Sequence, residues 1–522
     1  MRKIYILLVF LMLGVAGMAY LYFSNLGKEA NASENSINLV AASAPIIFTF
    51  ESDKSFYEIL SGQDITDNIL GTEKRNLLSA LRENVIKNNE INQLIDGEKI
   101  VIGFLAGEKN NSVDFVMATQ TTKAIIDPAQ LTKLKLPLTK VGDFYEVKFG
   151  DSAKLYLTIN KQSILFSNSL ASLAKTAKID QEQKNNFANY IKQNIQVNKN
   201  TLANVYINYA SLPSLLKNIL NTNLIGELNV FNKQETFAAL SYNFGSDKLL
   251  LNGYTDIQNP KNYFKLFEDQ KEQKITIDQL FPDQTANYTV FTINDYKKWS
   301  SALYNLQKEN KEADKIEQQR KAINEKYRID LHQTFPQYFN KQLAVLQLKS
   351  GEKLGIIEIK NGDKLGQLLL DLSSEYAPDI RIFKEAYLLA NFFGEPFKRF
   401  ERPFYTIIDN HFVLANYAST LQVFLNSYQN DRLLASTQDY NHFKDQTSSA
   451  ATIAFYINNK NSNDIFGKNL KTPFYKQYQS KAGFKEYDAF GYQLSADNGK
   501  FLSNMLLLKK QTKNELDSLK IN

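Results

Sequence analysis

Ile47-Phe48-Thr49-Phe50 and Val290-Phe291-Thr292-Ile293 stand 243 positions apart. Gly97-Glu98-Lys99-Ile100-Val101-Ile102 and Asn340-Lys341-Gln342-Leu343-Ala344-Val345 keep the same spacing. Ile164-Leu165-Phe166-Ser167-Asn168 meets Phe412-Val413-Leu414-Ala415-Asn416 at 248. Tyr206-Ile207-Asn208 meets Tyr456-Ile457-Asn458 at 250, and Leu250-Leu251-Asn252 meets Leu502-Ser503-Asn504 at 252. Each match is short, but five in one order with a slowly drifting offset predict a repeated unit carrying small insertions. The period far exceeds the roughly 20–50 residues of solenoid repeats, so the expectation is a tandem pair of domains, 44–270 and 271–510.

Each copy reads on one plan. An opening strand (Pro45–Phe50, or Tyr288–Ile293) leads into about 45 residues of helical pattern. Strand pairs follow, joined by Gly107-Glu108-Lys109-Asn110-Asn111 or Ser350-Gly351-Glu352-Lys353, which have hairpin length and chemistry. A second strand pair runs into an amphipathic helix, with Asn168 and Asn416 at the expected N-caps. Strands joined by short turns imply antiparallel sheet. The expected fold class is α+β: an N-terminal transmembrane helix, then two tandem homologous copies of a mainly antiparallel sheet with helices on one face.

The transmembrane expectation comes from the start of the chain. Arg2 and Lys3 precede an uncharged apolar run, Ile4 to Phe23. Twenty helical residues span roughly 30 Å, the thickness of a bilayer core. An uncleaved signal anchor over 1–23 is favoured; a signal peptide cut after Gly17 or Ala19 is the rival reading. The positive-inside rule puts the body outside the cytoplasmic membrane, in the periplasm or extracytoplasmic space. Residues 24–43 are small and polar and read as a flexible tether, and 511–522 as a polar tail.

Composition narrows the chemistry. The chain has 522 residues, 43% of them hydrophobic and 22% charged, with a net charge of +6. Spread over that length, the charge does not point to nucleic acid. There is no cysteine, which excludes disulfides, thiolate metal sites and a thiol nucleophile. No phosphate-binding glycine loop, dinucleotide fingerprint or nucleophile elbow occurs, so no cofactor is implied. His332, His411 and His442 lack metal-ligand spacing, and no metal is implied. His411 reads as a turn-flanking residue after Asp409-Asn410, in preference to a catalytic base oriented by Asp409. Ser172-Leu173-Ala174-Lys175 and Ser214-Leu215-Leu216-Lys217 match Ser-x-x-Lys without its companion motifs. No catalytic residue is assigned.

One element of the second copy stands out. Asp295 to Gln333 contains no glycine or proline. A thin apolar stripe runs through Trp299, Leu303, Leu306, Ala313, Ile316, Ile323 and Tyr327. This predicts a surface helix or helical hairpin with one seam, solvated on its own sheet or offered to an envelope partner.

The run Tyr327-Arg328-Ile329-Asp330-Leu331, Phe335, Asn340-Lys341-Gln342-Leu343-Ala344-Val345 resembles an "Ile-Asp-Leu, spacer, Gly-Glu, apolar strand" pattern. That pattern occurs in an uncharacterised bacterial family of membrane-anchored extracytoplasmic proteins. The first copy keeps Gly97-Glu98, and the second departs with Asn340-Lys341. The strands into Tyr-Ile-Asn, at Asn204–Asn208 and Thr452–Asn458, are similar to Bacteroidota versions. The resemblance implies an envelope location and supplies no functional residues. The leading expectation is therefore an anchored scaffold that binds an envelope partner. A hydrolase with a site between the copies, or a carrier of apolar ligands, is the alternative.

Overall fold

The computed structural model describes residues 35–51, 97–120, 138–149, 153–160, 163–179, 185–195, 201, 203–221, 236–245, 247–480 and 483–510. The chain divides into two compact units, Met1–Ile207 and Asn208–Asn522. Every strand pairing among the described residues is antiparallel.

The first unit opens with a helix, α1, over residues 35–41. Ile37, Leu39 and Val40 are fully buried, so the last part of the expected tether is packed. The helix lies so close to a strand that a Cβ on Gly103 would fall 2.3 Å from Val40 Cγ1. The strands are β1 (Ile46–Glu51), β2 (Lys99–Ala106), β3 (Val113–Gln120), β4 (Leu138–Val141), β5 (Phe144–Phe149), β6 (Ala153–Asn160), β7 (Ser163–Ser167) and β8 (Ala203–Asn208). Their hydrogen-bonded order is β8-β1-β2-β3-β7-β6-β5-β4. Helix α2 (Leu170–Ala177) follows β7 and buries Ser172, Leu173 and Thr176.

The second unit carries β9 (Thr236–Phe244), β10 (Lys248–Ile257), β11 (Gln273–Lys274), β12 (Thr285–Thr292), β13 (Phe339–Leu348), β14 (Lys353–Ile359), β15 (Ser373–Ala377), β16 (Ile380–Phe383), β17 (Phe404–Ile408), β18 (His411–Ala415), β19 (Ala450–Ala451), β20 (Ile453–Asn458), β21 (Tyr487–Asp497) and β22 (Lys500–Lys509). Strands β11 and β19 form a small pair of their own. The rest run β9-β10-β22-β21-β20-β12-β13-β14-β18-β17-β16-β15. One apolar core joins Val290, Ala344, Ile356, Val413 and Leu508 to Leu421, Phe424, Tyr440 and Phe443 from the covering helices.

This architecture corrects the expected fold class. The hairpin β9–β10, expected to close the first copy, is built into the sheet of the second unit. β10 pairs with β22 from Lys248↔Leu508 to Thr255↔Phe501, and Asn252 Nδ2 donates to Asn504 Oδ1 at 3.1 Å. The reason is physical: β10 is ten residues long with alternate positions buried, and as an edge it would leave a row of backbone donors and acceptors open to any passing strand. The expected pair of tandem sheets is therefore replaced by a large antiparallel sheet with helices. No helix among the described residues is long and apolar enough to cross a membrane, and Ile4–Phe23 lies outside them.

The matched segments do hold comparable places in the pairing. β1 sits between β2 and β8, and β12 between β13 and β20. The register differs from the sequence match by two residues. Phe50 pairs with Ile100, whereas Phe291 pairs with Leu343, the residue matched to Ile100. Phe50, not Phe48, therefore corresponds to Phe291. A slip of two leaves every side chain on its original face, which is why the apolar pattern alone could not detect it.

Candidate functional site

The long polar segment folds as a hairpin of two helices. Asp295 caps the first, α3 (Tyr296–Glu309), accepting from the Lys298 backbone N–H at 3.0 Å. The buried Gln270 fixes its approach: Oε1 accepts from the backbone N–H groups of Asn294 and Asp295, at 3.0 and 3.4 Å. Trp299, Leu303 and Leu306 recur at helical spacing and are buried, as the stripe predicts. Lys311, in the left-handed region at φ 62°, turns the chain. The second helix, α4 (Ala313–Tyr327), buries only Ala313 and Ile323 and ends on a left-handed Arg328. Ile316 is half-buried.

Polar side chains fasten α4 to its own body. Gln319 donates to the Ala386 carbonyl and accepts from Asn391 Nδ2 at 3.1 Å. Lys326 Nζ and Tyr327 OH both donate to Glu385, at 2.8 and 2.6 Å. Those two donors hold the Glu385 carboxyl below the usual range. Lys398 Nζ reaches Glu312 at 2.7 Å. The helix is thus attached through its ends and one seam, with Asp314, Lys315, Gln318, Lys321, Ala322 and Glu325 exposed.

Beside α3 lies an open cleft of about 230 Å³. One wall is the 3-10 turn Tyr263–Phe267 and the residues after it; the other is α3. Trp299, wholly buried, lies at its base with Leu306, and Leu266 and Ala302 continue the apolar surface. The rim is charged in both signs: Lys298 and Asp269 are 3.4 Å apart and mostly exposed, with Glu309 nearby. Trp299 is held by ring packing. Tyr263, Phe267 and Tyr296 surround it with centroids at 6.3, 5.7 and 5.8 Å. Its indole N–H has no acceptor among the described residues.

The other residues that sequence reasoning singled out do not converge. His411 Nδ1 lies 2.8 Å from the Asp409 carbonyl oxygen, and burial pushes its pKa down. The Asp409 carboxylate is taken by Tyr428 OH, so it does not orient the imidazole. His411 is the turn-flanking residue its place suggested. His332 is exposed beside Phe392. His442 lies in the helix Gln438–Asp445. Among the described residues no three His, Asp or Glu side chains gather as a metal site. Asn168 and Asn416 are not caps. Asn168 Oδ1 accepts from the Phe115 N–H at 2.8 Å, and Ser169 caps α2 instead. Asn416 donates to the Arg399 carbonyl at 3.0 Å. In the two Ser-x-x-Lys segments the hydroxyls point away from the lysines. Ser172 Oγ donates to Asp114 at 2.7 Å and Ser214 Oγ to the Ser211 carbonyl at 2.6 Å, while Lys175 and Lys217 are exposed.

Sequence reasoning missed a buried polar network. Helices α5 (Leu388–Phe393) and α6 (Ala418–Gln429) precede α7 (Gln438–Asp445). From α7, Tyr440 OH and Lys444 Nζ both donate to Asp278 Oδ2, at 2.6 and 2.9 Å. Tyr288 OH lies 2.8 Å from Tyr440 OH. Asp278 is fully buried and its Oδ1 has no partner among the described residues. Burial pushes both phenols well above their usual value. The contacts are separated by more than 150 residues, so no local signal announced them.

No family model matches the chain, and no curated protein matches it. Two solved structures do, crystal forms III and I of TP0453. Each is 12% identical over 43% of this chain and 80% or 79% of its own, with TM-scores of 0.23 and 0.22. Superpositions that loose carry no argument.

Proposed function

We propose that the protein is an exported scaffold. It is held at the outer face of the cytoplasmic membrane through its apolar segment 4–23 and presents the α3–α4 hairpin to an envelope protein. The observation that carries this reading is α4, a fifteen-residue helix that contributes two buried residues to its own fold. A helix that adds so little to the core, yet is fastened at Gln319, Lys326 and Tyr327, is organised as a surface. Basic residues before the apolar segment support export of the body.

Photo-crosslinking in intact cells tests the docking. With p-benzoylphenylalanine at Ala322, a discrete protein adduct is expected; the same group at exposed Lys148 serves as control and yields none. Lys315→Glu with Lys321→Glu, both on the exposed face, weakens the adduct at least tenfold without changing the melting temperature. Identical adduct patterns at 322 and 148 would sink the proposal. Attachment is checked separately by carbonate extraction of membranes. A soluble mature form beginning near Met18 or Tyr20 would replace the anchor with a cleaved signal peptide.

A further inference from the structure

The cleft beside α3 has a size and lining that narrow what it can hold. Its volume of about 230 Å³ is smaller than the roughly 300–1,000 Å³ of sites for drug-sized ligands. It is of the right order for one large side chain. Its base is apolar, from Trp299, Leu306, Leu266 and Ala302. Both cations on its rim are opposed by carboxylates, and Glu309 adds a further negative charge. Lys298 faces Asp269 at 3.4 Å, and Lys265 is tied to Glu268 at 2.6 Å and to the Ile257 carbonyl at 2.9 Å. A phosphate or sulfate would meet cations already opposed by carboxylates. A neutral apolar group, with charges of both signs beside it, meets no penalty.

The cleft is also braced. Gln270 pins the start of α3 from one wall, and Asp295 caps it. Gly394, at φ 73°, lets the chain pass within reach of Tyr263 and Leu303. The Trp299 ring packs on Tyr263 and Phe267, and its indole N–H has no acceptor among the described residues, so its emission follows the packing of the base.

We propose that this cleft is an anchor pocket for a single aromatic or branched aliphatic side chain of a polypeptide partner, whose flanking residues carry both charges. The proposal rests on the docking reading above and adds the contact that would dominate its energy. Buried side chains seated in such pockets carry most of the affinity of protein interfaces.

Trp299 is the single tryptophan of the chain, so its emission reports on the cleft directly. The full-length protein is titrated with N-acetylphenylalaninamide, N-acetylleucinamide and N-acetylglycinamide. The first two should shift the emission saturably in the millimolar range, and the glycine compound should not. Ala302→Phe fills the cleft and should weaken the response at least tenfold. Its unchanged thermal melt would show that the fold survives; if it melts early, Ala302→Leu serves in its place. The proposal is overturned by an unsaturable response, by an equal response to all three compounds, or by a response that persists in the filled variant. Loss of the Ala322 adduct would sink the docking reading while leaving this titration unaffected, so the two fail separately.

Discussion

Asp278 is the residue whose chemistry most constrains its surroundings. It brings a carboxylate into a core of Phe281, Tyr288, Tyr440 and Phe443, and two donors on a single oxygen must offset the loss of water. Removing one partner of a buried pair strands the other. Asp278→Ala should therefore cost about 3 kcal/mol of unfolding free energy, and Tyr440→Phe about 1–2 kcal/mol, measured by urea denaturation. Near-neutral values for both would mean the network is solvated. Asp488 makes a pH-dependent case. Burial, then repulsion by Asp439, raises its carboxyl pKa to about 6, against the opposing influence of Lys510, His442 and Lys460. The folded pKa lies above the unfolded one, so this group's stabilisation is complete below about pH 4 and is lost as pH rises through 6. Asp488→Asn should remove that decline and raise stability at pH 7 by at most about 1 kcal/mol, since the group is partly solvated and screened. Parallel stability–pH curves for the two proteins between pH 4 and 7 would show that Asp488 is not strained. Neither residue could be singled out from sequence, because an acid's value depends on which distant helix is packed over it.

At the scale of elements, much more was legible. Strands β1 and β12 overlap the opening strands read at Pro45–Phe50 and Tyr288–Ile293, because a short run of aromatic and β-branched residues fits a packed, extended backbone. The α3–α4 hairpin was legible in its stripe and lack of breakers, and its turn was not, since Lys311 carries the positive φ without a glycine to mark it. The tether was legible only in part. Ser36-Ile37-Asn38-Leu39-Val40 is short, and its helix exists because Gly103 lets it approach β2. The two helices of the hairpin should differ in stability. α3 is sealed by Trp299, Leu303 and Leu306, and α4 by Ile323 with a few polar contacts. Hydrogen exchange should therefore open α4 well before α3. Ile323→Asp should release α4 while sparing the sheet, whereas Ile316→Asp, half-exposed, should cost under about 1 kcal/mol. Equal protection along both helices would show that α4 belongs to the cooperative core.

At the scale of the whole molecule, the decisive fact is where β9 and β10 go. Sequence matching assigned them to the first copy, because a match between segments says nothing about which neighbour completes a strand's hydrogen bonds. The pairing partner is chosen by edge satisfaction, and β22 offers a register that joins Asn252 to Asn504 and buries Leu249 and Leu251. Gly253 gives a direct test. It stands in β10 between Leu240 of β9 and Ser503 of β22, and a Cβ there would fall 2.0 Å from the Ala239 carbonyl oxygen. Backbone atoms cannot move aside as a side chain would, so Gly253→Val should cost about 3 kcal/mol. Trp299 lies on the other side of the expected boundary at 270, within the unit Asn208–Asn522. If β9 and β10 are part of that unit's cooperative sheet, Gly253→Val should lower the melting temperature read by Trp299 fluorescence. Gly366→Ala serves as control, since its Cβ would meet only Ile407 Cδ1 at 3.7 Å within the helix Gly362–Leu369. That change should leave the transition in place or raise it, by up to about 1 kcal/mol. A Trp299 transition unmoved by Gly253→Val would return β9 and β10 to a separately folding first copy.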